Sequence, residues 1–172
     1  MRKRITNSAM VKITSIFLVV MLLFLYTGQP AFAAKKKTTR KAVVMDEMTR
    51  LTLIVDAFNA ANAQRQLAGL PPLVWDQNLF NTAEVRSNEI VVLFEHTRPD
   101  GTECGTAAPG ELYGENILKG NTNSVKTGAG AISDWMTSPG HRANILRPDY
   151  TRGAVSLRYV NGMYYWVQSF AI

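Results

Sequence analysis

The sequence contains two histidines, His96 and His141, and both lie in segments rich in turn-forming residues. A neutral imidazole can bind a metal ion or accept a proton, so two histidines brought together by a fold form a candidate site. Glu115 lies between Gly114 and Asn116, where its carboxylate either bonds to nearby backbone or orients a histidine or cation. His141 is predicted in the first turn of a helix, where the helix dipole favours a neutral ring.

Ser138 lies three residues before His141, so these two side chains are also candidates for a nucleophile and its base. Pro139 follows Ser138, and Ser followed by Pro is typical of a helix N-cap and the first helical position. We therefore predict that the Ser138 hydroxyl is directed at the amides of its own helix and is not a nucleophile. The sequence has no nucleophile-elbow, HExxH, phosphate-loop or Cys/His zinc motif.

Cys104 is the sole cysteine, which excludes an intrachain disulfide. A domain of about 130 residues can be stabilised by its apolar core instead. We expect Cys104 to be a small buried residue, and an exposed reactive thiol is the alternative.

The elements that must position these side chains are predicted to be helices in the first part of the domain. Asp76 is the expected N-cap of the second helix, and Arg86 is expected to pair with Glu89 on its surface. Apolar residues at helical spacing predict three helices, over 45–70, 77–93 and 124–136, and Ser138-Pro139 predicts the start of a fourth.

The last part of the sequence is predicted to form a β-hairpin. Apolar and polar residues alternate over 154–160 and again over 163–170, and Asn161-Gly162 between the two runs is a strong turn signal. Another short element begins at Gly114. Helices followed by a hairpin, without alternation of strand and helix, indicate an α+β domain.

Residues 1–33 are predicted to be an export signal. An apolar run of 11 residues over 16–26 follows four basic residues, and Ala31-Phe32-Ala33 supplies the small residues that signal peptidase requires. The run is shorter than the roughly 20 residues of a membrane-spanning helix. An uncleaved signal anchor is the alternative. Cleavage leaves a basic stub over 34–45, which we expect to be a solvated tail or a tether to anionic polymers and lipid headgroups.

The net charge of +6 arises in this N-terminal part of the chain. From Ala42 to Ile172 the sequence has 10 basic and 13 acidic residues, which argues against a nucleic-acid-binding domain. Apolar residues make up 47% and charged residues 19%, as in globular proteins. The length allows one folded domain, over 46–172.

Several motifs together resemble one protein family, the CAP superfamily in its bacterial form, also called the SCP-like extracellular or pathogenesis-related-1-like domain. The blocks over 94–101 and 135–146 are highly specific in combination, and the resemblance covers about residues 55–172. In chain order the motifs are Leu73-Val74-Trp75-Asp76, Ala83-x-x-Arg86, Phe94-Glu95-His96-Thr97-Arg98-Pro99-Asp100-Gly101, Gly114-Glu115-Asn116-Ile117, Trp135-Met136-x-Ser138-Pro139-Gly140-His141-Arg142-Ala143-Asn144-Ile145-Leu146 and Tyr165-Trp166-Val167-Gln168-x-Phe170.

The resemblance implies a three-layer α-β-α sandwich with a C-terminal β-hairpin and a central cleft. In the family this cleft carries two histidines and two acidic residues, and in some members it binds a divalent metal such as zinc. His96, Glu115 and His141 match three of these positions, whereas Ser138 stands where animal and plant members have a glutamate. The resemblance therefore implies His96 and His141 as metal ligands, with Glu115 nearby, in an incomplete set that still suits zinc with open water positions.

Three interpretations of the function remain, because members of one fold differ in function. The favoured one is a secreted binding or interaction module for a small apolar molecule, a cell-wall component or another extracellular protein. Neither nucleic acid nor a membrane span remaining after signal cleavage is expected. The alternative is a metal-assisted hydrolase that uses His96, Glu115 and His141 to activate water. In the third interpretation these side chains only lock the loops through hydrogen bonds.

Overall fold

A computed structural model describes residues 45–172. The predicted signal and all but the last residue of the basic stub lie outside the described residues. No helix within 45–172 is both long and apolar enough to cross a membrane. The elements are helices α1 (Glu47–Leu67), α2 (Gln77–Val92), α3 (Gly128–Thr137) and α4 (Pro139–Ile145), strands β1 (Val74–Trp75), β2 (Gly114–Gly120), β3 (Arg152–Val160) and β4 (Met163–Ala171), and 3₁₀ turns Cys104–Ala107 and Ser124–Lys126.

The four strands form one sheet in the order β1-β3-β4-β2. The short strand β1 pairs parallel with β3, and the other pairs are antiparallel. The predicted hairpin is confirmed as β3 and β4, joined by a two-residue turn at Asn161-Gly162. Both turn residues have positive φ, 51° and 85°, as the tight turns of hairpins require.

One face of the sheet is covered by α2. Ala83 and Ile90 on this helix pack against Ile117 of β2 and Val167 of β4. The helix begins as predicted, since the Asp76 carboxylate accepts hydrogen bonds from the amides at positions 78 and 79. The expected pair of Arg86 with Glu89 is also present.

The opposite face is covered by α1, α3 and α4, whose apolar side chains form the larger core with Trp135 and Trp166. Side chains of β3 and β4 alternate between the two faces, as the pleat of a strand requires: Val155 and Leu157 face this larger core. Helices on both faces of one sheet confirm the three-layer α-β-α fold and the α+β class.

The third predicted helix differs from the structure at its start. Instead of one helix over 124–136, a 3₁₀ turn is followed by α3, which begins at Gly128 after the N-cap Thr127. The Thr127 hydroxyl accepts a hydrogen bond from the amide of Gly130, 3.0 Å away. A Cβ on Gly128 would overlap the backbone of Leu53 and Ala57 in α1. The close contact of α1 with α3 therefore fixes where α3 begins.

Candidate functional site

The site is built around β2, where successive side chains point to opposite faces of the sheet. Glu115 points toward α2, where its carboxylate meets Arg86. Asn116 points toward α4, where its amide accepts a hydrogen bond from Asn144 and donates one to the carbonyl of His141. One strand thus connects the helices on both faces of the sheet.

Glu115 is held by a buried salt bridge to Arg86. The Arg86 Nε lies 2.7 Å from Oε2 and its Nη2 lies 3.1 Å from Oε1, and neither side chain is exposed. Arg86 also donates to Glu89 and to the carbonyl of Glu95. Burial alone would lower the pKa of Arg86, but its hydrogen bonds to Glu115 and Glu89 raise it above the ordinary value. The Glu115 carboxylate therefore has a fixed orientation and a paired charge.

The His96 ring is within hydrogen-bonding distance of the Glu115 carboxylate. Its Nδ1 is 3.0 Å from Glu115 Oε1, and about half of the side chain (52%) is exposed. The neighbouring Cys104 and the Glu115 carboxylate raise the pKa of His96 to about 9. In the metal-free protein the ring is therefore a cation near neutral pH, oriented by a buried carboxylate and open to solvent.

Cys104 joins His96 and Glu115 in one cluster. One donor atom from each of the three side chains lies within 4.8 Å of the other two. Cys104 is half-buried at the start of its 3₁₀ turn, between the buried and exposed alternatives that the sequence suggested. Sequence reasoning missed this residue as part of the site. The available signal was a sole cysteine, with no disulfide partner, eight residues after His96.

His141 lies in the first turn of α4, as predicted, with its ring half-buried and 6.5 Å from the Trp135 ring, centroid to centroid. Burial lowers the pKa of His141, and the charge of His96 lowers it further. The ring is therefore neutral near neutral pH, as expected, although burial rather than the helix dipole is the main cause. His141 is outside the cluster of His96, Cys104 and Glu115. The pairing of the two histidines on one metal stays a prediction.

Ser138 occupies the N-cap position of α4, but its hydroxyl does not cap the helix. No amide of α4 donates to this side chain, so the prediction that the hydroxyl is directed at its own helix was wrong. Ser138 is also the C-cap of α3, and its backbone N–H donates to the carbonyl of Trp135. Its backbone thus serves both the end of α3 and the start of α4.

A second group of polar side chains was also missed as a unit. Asn116 Nδ2 lies 3.1 Å from the carbonyl oxygen of His141 and 3.3 Å from Gln168 Oε1, and Asn144 Nδ2 lies 2.9 Å from Asn116 Oδ1. These bonds tie α4 to the sheet and fix the backbone that carries His141. Asn116, Asn144 and Gln168 lie in motifs quoted above, but contacts between residues this distant in sequence have no local signal.

A mixed sheet with helices on both faces is the fold that the resemblance to CAP domains implied. The profile described as "CAP: Cysteine-rich secretory protein family" matches residues 58–170. The chain belongs to this family.

A curated relative is the Bacillus subtilis (strain 168) protein described as "Uncharacterized protein YkwD". It is 32% identical over 160 residues, which cover 80% of this chain and 58% of the relative. The chain therefore spans less than two thirds of that relative's length.

Solved structures share the fold. An extracellular protein containing a SCP domain from Bacillus anthracis str. Ames has a TM-score of 0.60 at 22% identity, covering 71% of this chain and 41% of that one. An outer surface protein from Borrelia burgdorferi has a TM-score of 0.58 at 14% identity, covering 76% of this chain and 98% of that one. A cysteine-rich secretory protein from Staphylococcus aureus subsp. aureus Mu50 has a TM-score of 0.56 at 18% identity, covering 72% and 40%. At these identities the likeness shows the fold alone.

Proposed function

We propose that this protein is a secreted bacterial CAP-domain protein that acts as an extracellular binding module, with its ligand at the surface formed by His96 and His141. The observation that carries the proposal is that a half-exposed imidazole rests on a buried carboxylate, which is itself held by a buried arginine. Such a ring is oriented before a ligand arrives, so little conformational entropy is lost when one binds.

Of the ligands considered, a cell-envelope component is favoured over a small apolar molecule. The side chain that the site exposes most is polar, His96, and Arg98 beside it is linked to the same network through Glu89. A polar or anionic group, as found in envelope polymers, can accept hydrogen bonds from these donors. The export signal expected over 1–33 supports a place outside the cell. The descriptions of two structural neighbours as extracellular and outer-surface proteins agree with this place.

The contacts of Glu115 favour binding over the alternative of metal-assisted hydrolysis. A general base must reach the proton that it abstracts. Both oxygens of Glu115 already accept hydrogen bonds from Arg86, and the side chain has no exposure to a substrate or water. The carboxylate is therefore suited to holding His96 in place rather than to taking up a proton from solvent.

The test is sedimentation of the purified protein with isolated peptidoglycan, and separately with phosphatidylglycerol vesicles, in the presence of EDTA. We expect binding to peptidoglycan, weakened about tenfold or more in His96→Ala under conditions in which both proteins are folded by circular dichroism. Lys126→Ala removes an exposed positive charge from a 3₁₀ turn outside the site and is the matched control. Equal binding by the wild type and His96→Ala, or absence of binding to both materials, would contradict the proposal.

A further inference from the structure

The three side chains His96, Cys104 and Glu115 offer a nitrogen, a sulfur and an oxygen donor to one point. We propose that they bind a divalent transition-metal ion, with the Cys104 thiolate as a ligand and Zn²⁺ as the best suited ion. This ligand set differs from the histidine pair implied by the family resemblance, because Cys104 takes part and His141 does not. The metal site shares His96 with the proposed binding surface, but the metal proposal does not rest on that function.

The spacing of the donor atoms suits a tetrahedral ion. His96 Nδ1 and Glu115 Oε1 lie 3.0 Å apart. Zinc binds nitrogen and oxygen at about 2.0–2.2 Å, so two such ligands of a tetrahedral ion lie roughly 3.3 Å apart. The cysteine sulfur lies within 4.8 Å of a ring nitrogen of His96 and of a carboxylate oxygen of Glu115. A small shift of its side chain completes three ligands, and water fills the fourth position.

The backbone between His96 and Cys104 brings the two side chains together. An isolated antiparallel bridge pairs Thr97, the residue after His96, with Glu103, the residue before Cys104. Within this loop the amide of Arg98 donates to the carbonyl of Thr102 at 2.7 Å. His96 and Cys104 are therefore held at the base of a closed loop, next to β2, which carries Glu115.

The ion pairs around the cluster determine how Glu115 can bind an ion. Arg86 is shared between Glu115 and Glu89, and Arg98 also pairs with Glu89. Arg86 already balances the Glu115 carboxylate, so the charge that a divalent ion would newly balance is that of the Cys104 thiolate. Arg86 occupies Oε2 and one side of Oε1, so Glu115 would bind the ion through Oε1 alone, on the side that now faces His96.

On binding, the ion bonds to a ring nitrogen of His96 and to the sulfur of Cys104, and any proton that these two atoms carry passes to solvent. Glu115 Oε1, which lies against the His96 ring nitrogen in the absence of an ion, then becomes a ligand next to that nitrogen. Arg86 keeps its hydrogen bonds to the carboxylate and becomes the partner that orients this ligand, a role that second-shell groups have at metal sites.

The experiment is a titration of the purified, EDTA-treated and reduced full chain with Co²⁺, followed by Zn²⁺ titration in a calorimeter. We expect one ion per chain and a near-ultraviolet charge-transfer band, which a thiolate ligand produces and nitrogen or oxygen ligands do not. Cys104→Ser is expected to abolish the band and weaken zinc binding about tenfold or more. His96→Ala is expected to weaken binding similarly, and its half-exposed position makes it a second variant that preserves the fold.

Glu103→Gln is the matched control, since it removes an exposed carboxylate next to Cys104 without removing a ligand. His141→Ala distinguishes the two ligand sets and is expected to retain the charge-transfer band. Absence of stoichiometric binding, or binding without the band, would overturn the proposal. Loss of binding in His141→Ala but not in Cys104→Ser would assign the ion to the histidine pair and overturn it as well. Peptidoglycan binding is measured in EDTA, so failure of either proposal leaves the other open to its own test.

Discussion

The Arg86 guanidinium and the Glu115 carboxylate form a salt bridge in which neither side chain is exposed, with Nε 2.7 Å from Oε2. The two residues lie on different elements, α2 and β2, so the bridge joins a helix to the sheet. It also fixes the group on which the His96 ring rests. The Arg86–Glu115 pair therefore both holds α2 on the sheet and orients the His96 ring.

Replacing Arg86 by Met should destabilise the domain by about 3–5 kcal/mol, because it leaves a buried carboxylate without its partner. Chemical denaturation of the metal-free protein measures the loss. Arg98→Met is the control: Arg98 also pairs with Glu89 but is partly exposed (19%), so a loss of about 1 kcal/mol or less is expected. Adding Glu115→Gln to Arg86→Met should restore part of the stability. A double variant less stable than Arg86→Met would show that the unpaired charge is not the cause.

The two histidines should titrate far apart in the EDTA-treated protein. Cys104 and Glu115 raise the pKa of His96 to about 9, whereas burial, aided by the charge of His96, lowers the pKa of His141 below the ordinary 6.5. The chain has only these two histidines, so their NMR ring signals are readily followed, and His96→Gln assigns them. Two titrations near the same ordinary value would contradict the described surroundings of both rings.

The free energy of unfolding should depend on pH through the protonation of the His96 ring. The pKa of His96 is higher in the folded state, about 9, than its ordinary value of about 6.5. The stabilisation that the protonated His96 ring contributes to the folded state is therefore fully present below about pH 6.5 and is lost as the pH rises through about 9. The difference in unfolding free energy between the wild type and His96→Gln should shrink over this range, and a constant difference would contradict the assignment.

Gly128→Ala should destabilise the domain by about 3 kcal/mol, because the added methyl group meets the α1 backbone, which has no side-chain freedom to give way. Gly140→Ala is the matched control within a neighbouring helix, where a Cβ would contact nothing within 4 Å. Its expected effect is a gain of about 0.5 kcal/mol from reduced freedom of the unfolded chain. Thermal melting of both variants measures the two changes in stability. Equal changes for Gly128→Ala and Gly140→Ala would contradict the close contact of α1 and α3.

The two N-cap positions should respond differently to alanine. Asp76 accepts two amide hydrogen bonds and pairs with Arg152, so Asp76→Ala should cost about 1–2 kcal/mol. Ser138 caps no amide of α4 through its side chain, so Ser138→Ala should cost less than about 0.5 kcal/mol. Denaturant unfolding measures both values. A loss of about 1 kcal/mol for Ser138→Ala would restore the capping role predicted from the sequence.

The sequence predicted those features that depend on residues close together in the chain. The Asp76 cap, the Arg86–Glu89 pair and the Asn161-Gly162 turn are local, and each is present. Residue type and position singled out His96, Glu115 and His141 as candidates, and the family resemblance supplied the order of layers and the idea that these three side chains share one cleft.

The missed features depend on distant contacts. Arg86 was predicted to pair three residues away, but the Glu115 carboxylate that it fixes is 29 residues away in sequence. Cys104 meets His96 only because a bridge closes the loop between them. Gly128 falls inside a helix predicted over 124–136, but the structure shows that it admits the backbone of α1 at the start of α3. In each case the partner is chosen by the packing of elements and not by local spacing.

The position of β4 inside the sheet sets the order in which the domain can form. β4 separates β3 from β2 and supplies a hydrogen-bonded neighbour for each, although residues 163–171 come after every other element described within 45–172. Until these residues have been synthesised, β2 has no partner in the sheet and Glu115 has no completed layer to lie in. The described sheet, and with it the layer that holds Glu115, is therefore completed only after this strand has been synthesised.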